Sequence, residues 1–110
     1  MLLDIVTHKD NRGYLSFLEN HNPIPFKIGE IHLFSNVSEQ DLSQIVLNKD
    51  LDIIIIALVG VCNISIISTD KHNEIYTLDQ PSIGVYIPAG KEYQFNNTSP
   101  YLSLLIISSK

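Results

Sequence analysis

Gly84-Val85-Tyr86-Ile87-Pro88-Ala89-Gly90 is a short β-rich run that stops at a proline, with Tyr93 three residues past Gly90 and Asn97 four beyond that. Proline fixes φ and offers no amide donor, so a strand that runs into Pro88 ends there. Upstream, Val46-Leu47-Asn48 is followed by Asp52, an apolar run from Ile53 to Val59, and Gly60. Side chains alternate across a strand, so Ile53-Ile54-Ile55-Ile56 is apolar on both faces. Such a segment predicts burial on both sides, as in a barrel wall or a dimer interface. Its β-branched residues are stiff at χ1, which favours strand over helix.

The same rhythm extends through the rest of the chain. Strands are predicted over Leu2–Val6, Tyr14–Leu18, Ile28–Phe34, Ile45–Leu47, Ile53–Leu58, Cys62–Ser68, Ile75–Leu78, Gly84–Ile87, Glu92–Phe95 and Leu102–Ile107. Turn residues separate them: Asp10-Asn11-Arg12-Gly13, Asn22-Pro23-Ile24-Pro25, Val59-Gly60-Val61, and the polar tip Thr69-Asp70-Lys71-His72-Asn73. Ser38 to Leu42 forms either one helical turn or a loop, and no stretch reads as an amphipathic helix. Closely spaced short strands of this kind define an all-β sandwich or barrel.

Composition narrows the function. The chain has 110 residues, enough for one domain with a single core. Its seven cations are scattered, and the formal charge is -5, so no basic stripe exists to follow a nucleic-acid backbone. A single nucleotide needs only one or two cations and stays compatible. Cys62 is the one cysteine and cannot form an internal disulfide or a zinc site. The N-terminus lacks the pattern of a signal peptide. Ile53 to Val59 falls far short of the ~20 residues that span a bilayer. A soluble cytoplasmic protein without membrane partners is expected.

The two landmarks together resemble the two-motif pattern of a cupin barrel. Their order is more specific still. Asp10-Asn11-Arg12-Gly13-Tyr14-Leu15, Glu19, Ile24-Pro25-Phe26, Leu78, Pro81 and Gly84-Val85-Tyr86-Ile87-Pro88 follow one another as in the cupin sugar-nucleotide isomerases that convert dTDP-4-keto-6-deoxyglucose to a 3-keto sugar. The resemblance covers Asp4 to Ser108. It implies a single all-β cupin (jelly-roll) β-barrel over residues 1–110, a homodimer, and a dTDP-sugar pocket in the barrel mouth. It implies no metal and no cofactor, since a His-x-His pair supplies acid and base. Moving a carbonyl by one carbon needs groups that exchange protons near neutral pH, and imidazole suits that task. The family's chain usually continues past its last strand, so a C-terminal segment is expected to be absent here.

The departures fall on the chemistry. The His-x-His positions hold Val46 and Asn48, the family's tryptophan and histidine fall on Glu92 and Tyr93, and Ile53 stands where a glutamine is usual. No arginine precedes Val46, since Leu42-Ser43-Gln44-Ile45 carries no cation. The matching positions offer one acid, Asp52, and no histidine, too few ligands for a metal site. Arg12, His32, Asn48 and Tyr93 are candidates for ligand binding. His32, Tyr93 and Glu92 are weak candidates for proton transfer. Each has a plainer reading: Arg12 as a turn residue, His32 as a structural histidine on one face with Glu30 and Phe34, Asn48 as a strand-end hydrogen-bonding group, and Tyr93 as core. Glu92 and Asp52 are the acids that could form a pair. The reading is a degenerate cupin without the isomerase reaction, serving as a binding or accessory subunit in deoxysugar assembly, with a barrel interior narrower and more apolar than an isomerase pocket. The alternative is a working isomerase or epimerase using substitute residues.

Overall fold

The computed structural model describes residues 2–20, 23–44, 49–67 and 73–110. In chain order the elements are β1 (Leu2–Asp4), β2 (Val6–Asp10), β3 (Gly13–Phe17), β4 (Glu19–Asn20), β5 (Pro23–Ile24), β6 (Ile28–Val37), α1 (Glu39–Ser43), β7 (Ile53–Val59), β8 (Cys62–Ile67), β9 (Glu74–Leu78), β10 (Ile83–Ile87), β11 (Glu92–Asn96) and β12 (Leu102–Ser109). A five-stranded sheet runs β1-β10-β7-β12-β6, and a three-stranded sheet runs β11-β8-β9. Every pairing in these two sheets is antiparallel. The two sheets face each other as the jelly-roll barrel of a cupin.

β7 is the wall on which the fold turns. Ile55 pairs with Val85 on one side and Ile106 on the other. Ile53, Ile55 and Ala57 point with Val85, Ile87, Leu104 and Ile106 toward Cys62, Ile64 and Ile66 of β8 and Leu78 of β9, and together these fill the barrel interior. Ile54 and Ile56 point the other way. With Ile107 they form a second core, roofed by Ile5, Ile24 and Phe26 from the N-terminal part of the chain. The strand is therefore buried on both faces within one chain, and the chain itself covers the outer side where a partner was the other option. Each fully buried isoleucine stabilises the fold by about 1.5–3 kcal/mol.

One predicted strand differs from the sequence expectation, and one segment that the sequence left open is decided. The predicted strand Leu2–Val6 breaks at Ile5, whose side chain drops into the outer core while its amide donates to the Ser82 carbonyl at 2.7 Å. β1 then belongs to the barrel, and β2 pairs with β3 as a separate ribbon. Ser38 to Leu42 resolves in favour of helix, because Ser38 and Asp41 cap α1 reciprocally and Leu42 is buried against the barrel. The predicted strand Ile45–Leu47 and most of the polar tip after β8 lie outside the described residues. No helix of the described residues is long and apolar enough to cross a membrane.

Candidate functional site

The turn that ends β10 is held from three directions. Asp52, just before β7, accepts from the Ala89 amide at 2.7 Å through Oδ1. The Tyr86 hydroxyl, one strand residue before Ile87, also bonds to the Asp52 carboxylate. The Gly90 amide donates to the Lys49 carbonyl at 2.7 Å, with Gly90 at φ +87°, a conformation glycine adopts without strain. Asp52 is in turn fixed to the end of β12: its amide donates to Ser109 Oγ at 2.9 Å, and its carbonyl accepts from the Ser109 amide at 2.8 Å. Residues 49–52 and 88–91 thus form one rigid junction, and β11 starts directly from it.

A pocket of about 620 Å³ opens between this junction, α1 and β11. Tyr93, Phe95, Leu42 and Ile67 supply its apolar surface, and Lys49, Lys91 and Glu92 stand among its polar residues. Tyr93 and Phe95 meet edge to face at 5.7 Å and 87°, a favourable aromatic geometry. Both also pack against the barrel interior. Burial pushes the Tyr93 phenol up to about 12, so the ring is neutral and its hydroxyl is a hydrogen-bonding group. Lys49 Nζ lies 3.5 Å from Glu92 Oε1 in an exposed ion pair.

The structure brings Glu92 and Tyr93 together on this pocket and leaves the other described candidates elsewhere. His32 is on β6, opposite Ile106, with Nε2 3.0 Å from Glu30 Oε2 and its ring stacked on Phe34 at 6.3 Å. It shares a face with Glu30 and Phe34 as the alternation predicts, but it is not among the pocket walls. Its ring lies on the same side of the sheet as Phe34 and Ile106, which pack in the barrel interior. The Arg12 guanidinium donates to Asp10 at 2.7 Å within the β2–β3 turn, and its amide donates to the same carboxylate at 2.8 Å, the contacts of a turn residue. The guanidinium holds the Asp10 carboxyl below the usual range. Asn48 and Val46 lie outside the described residues.

Of the two acids singled out in the sequence, Asp52 bonds Ala89 and Tyr86, and Glu92 faces Lys49. Ile53 is buried in the barrel interior, where the sequence reading places it. The mouth is nonetheless roomy and carries charges, which a narrow apolar interior does not anticipate. The sequence reading also overlooked Lys49 and Lys91. Their signal was position: one follows Asn48 directly and the other follows Gly90.

An antiparallel jelly roll with a side-chain-lined pocket at its mouth is a cupin-type barrel. This chain belongs to the family described as FdtA: WxcM-like, C-terminal, which matches residues 1–110. Among solved structures, it is similar to the WlaRB TDP-quinovose 3,4-ketoisomerase from Campylobacter jejuni, with 27% identity over 100% of this chain and 84% of that one and a TM-score of 0.84. It is similar also to a 3,4-ketoisomerase from Helicobacter canadensis, with 26% identity, 100% and 82% coverage, and a TM-score of 0.84. QdtA, a sugar 3,4-ketoisomerase from Thermoanaerobacterium thermosaccharolyticum solved in complex with TDP, shares the fold at 23% identity, 100% and 80% coverage, and a TM-score of 0.82. No curated protein matches the chain.

Proposed function

We propose that this protein is a single-domain, cytoplasmic, homodimeric cupin of deoxysugar biosynthesis that binds a dTDP-sugar at the barrel mouth without carrying out the 3,4-ketoisomerase reaction, acting as a binding or accessory subunit. Family membership and the ketoisomerase likeness support the ligand class. What supports a lost reaction is the lack of an imidazole at positions 46 and 48, which Tyr93 does not make good. Its phenol, raised by burial to about 12, cannot serve as a base near neutral pH. The sequence puts no imidazole at positions 46 and 48, and His32 is spent on Glu30 away from the pocket. The apolar residues Ile31 and Leu33, 59% and 62% exposed on the outer face of β6, support a second copy covering that face.

The test is to incubate the protein with dTDP-4-keto-6-deoxyglucose in deuterated buffer. The expected result is a ligand-dependent rise in melting temperature with no deuterium entering the sugar carbons. Deuterium incorporation that disappears in Glu92→Gln or Tyr93→Phe would instead establish the isomerase alternative. Absence of any ligand-dependent shift would end the binding reading.

A further inference from the structure

Lys49 and Lys91 are rooted on the same hydrogen-bonded junction. The Gly90 amide donates to the Lys49 carbonyl at 2.7 Å, and the Lys91 amide closes the adjoining turn on the Pro88 carbonyl at 3.3 Å. The placement of their backbones is therefore fixed, and the Lys49 side chain reaches out to Glu92. Both line the 620 Å³ pocket beside the Tyr93 ring. The chain carries a net charge of -5, which repels anions at long range. An anion that settles here must be held by local cations. Lys49 has one carboxylate close by, Glu92 at 3.5 Å, a separation too long for a strong charge-assisted bond. Glu39 is the other carboxylate in the pocket, and its α1 position puts it across the cavity on a different element.

We infer that Lys49 and Lys91 form the seat of a diphosphate, with Glu92 as the counter-ion that an arriving phosphate displaces from Lys49. Two ammonium groups match the two negative charges of the diphosphate in a sugar nucleotide, and Tyr93 provides the adjacent surface for a ring. This inference rests on the proposed sugar-nucleotide reading and adds the residues that recognise its anionic part.

The charges predict opposite signs for neighbouring substitutions. Thymidine diphosphate and inorganic pyrophosphate are titrated separately into the full chain at low and at 0.5 M salt. Lys91→Gln and Lys49→Gln are each expected to weaken both ligands by about five- to tenfold at low salt, with the difference shrinking at high salt. Glu92→Gln is expected to tighten both, because the competing carboxylate is gone. A fold defect would weaken binding in all three variants, so tightening in Glu92→Gln cannot arise from misfolding. Unchanged affinity in both lysine variants, weaker binding in Glu92→Gln, or no pyrophosphate binding by the wild-type protein would overturn the inference. Binding of thymidine diphosphate that ignores the lysine variants would overturn it while leaving the sugar-nucleotide reading intact. Pyrophosphate binding with the predicted signs, but no preference for the nucleotide, would uphold the anion seat and reject the nucleotide.

Discussion

Removing the Asp52 carboxylate tests whether the junction beneath the pocket is held as described. In Asp52→Ala the Ala89 amide loses its acceptor at 2.7 Å and the Tyr86 hydroxyl loses its carboxylate partner. A hydrogen bond to a charged group contributes about 1.5–3 kcal/mol, and two are lost together. Asp52 is half-exposed, so water satisfies part of what is removed. The net cost is about 2 kcal/mol, below the roughly 3–6 kcal/mol that two such bonds would give without solvent compensation. For a chain of 110 residues the unfolding entropy is about 0.23 kcal/mol/K, so the midpoint should fall by about 9 °C.

Tyr86→Phe removes one of the two bonds and should cost about 1 kcal/mol. Asp52→Asn keeps an oxygen for the Ala89 amide and should cost less than Asp52→Ala. The double variant Asp52→Ala, Tyr86→Phe should fall short of additivity by about 1 kcal/mol, because both singles break the same bond. Urea unfolding followed by tyrosine fluorescence suits a chain without tryptophan, run at one protein concentration so that dimerisation does not shift the midpoint. Asp52→Ala within about 0.5 kcal/mol of wild type, or full additivity in the double variant, would refute the account of the junction.

Three further outcomes are expected. Gly60→Ala should destabilise by about 2 kcal/mol, because φ is +88° and the new Cβ would stand 2.6 Å from Ser99 Oγ, which accepts from the Val61 amide; thermal melting measures it. Alkali should unfold the protein through two buried acids: Cys62 is raised from 9.0 to about 11 and Tyr93 from 10.0 to about 12. Both folded values exceed the unfolded ones, so the native state keeps protons that the unfolded chain releases. Stability is complete below pH 9 and falls from pH 9 to 12, by up to about 2.7 kcal/mol for each hundredfold change in ionisation; Tyr93→Phe should flatten the part of the decline above pH 10 in urea unfolding. Leu33→Lys, on the exposed outer face of β6, should convert a dimer to a monomer in sedimentation without lowering monomer stability.

The parts of the fold that could be read from sequence are those where the physics is local. Ile53 to Ile56 announces burial on both faces by its alternation alone, and the structure sends Ile55 inward and Ile54 outward. Gly84 to Pro88 marks its own end. Ile5 was illegible because its role depends on a distant residue, Ser82, whose carbonyl draws the backbone out of the strand. Roofing of the outer core by Ile24 and Phe26 depends on the same kind of long-range packing. At the site, Tyr93 and Glu92 could be located by counting from Gly90, whereas the pairing of Glu92 with Lys49 joins residues far apart in the chain. Nothing in the spacing said that Asp52 would face the Ala89 amide and Tyr86.

That division bears on how much a shared fold says about a shared reaction. Asp52, Tyr86, Ala89 and Gly90 hold the mouth in shape through hydrogen bonds and one positive φ, and none of these needs a titrating group to move a proton. The barrel interior is filled largely by aliphatic side chains from β7, β8, β10 and β12 among the described residues. A scaffold held in this way does not by itself fix the reaction its pocket supports. Function has to be argued from the side chains that the pocket itself presents. In this chain those are an aromatic surface at Tyr93 flanked by two lysines on a clamped turn, and the opposite effects expected on neutralising Lys91 and Glu92 are the sharpest measure of what it binds.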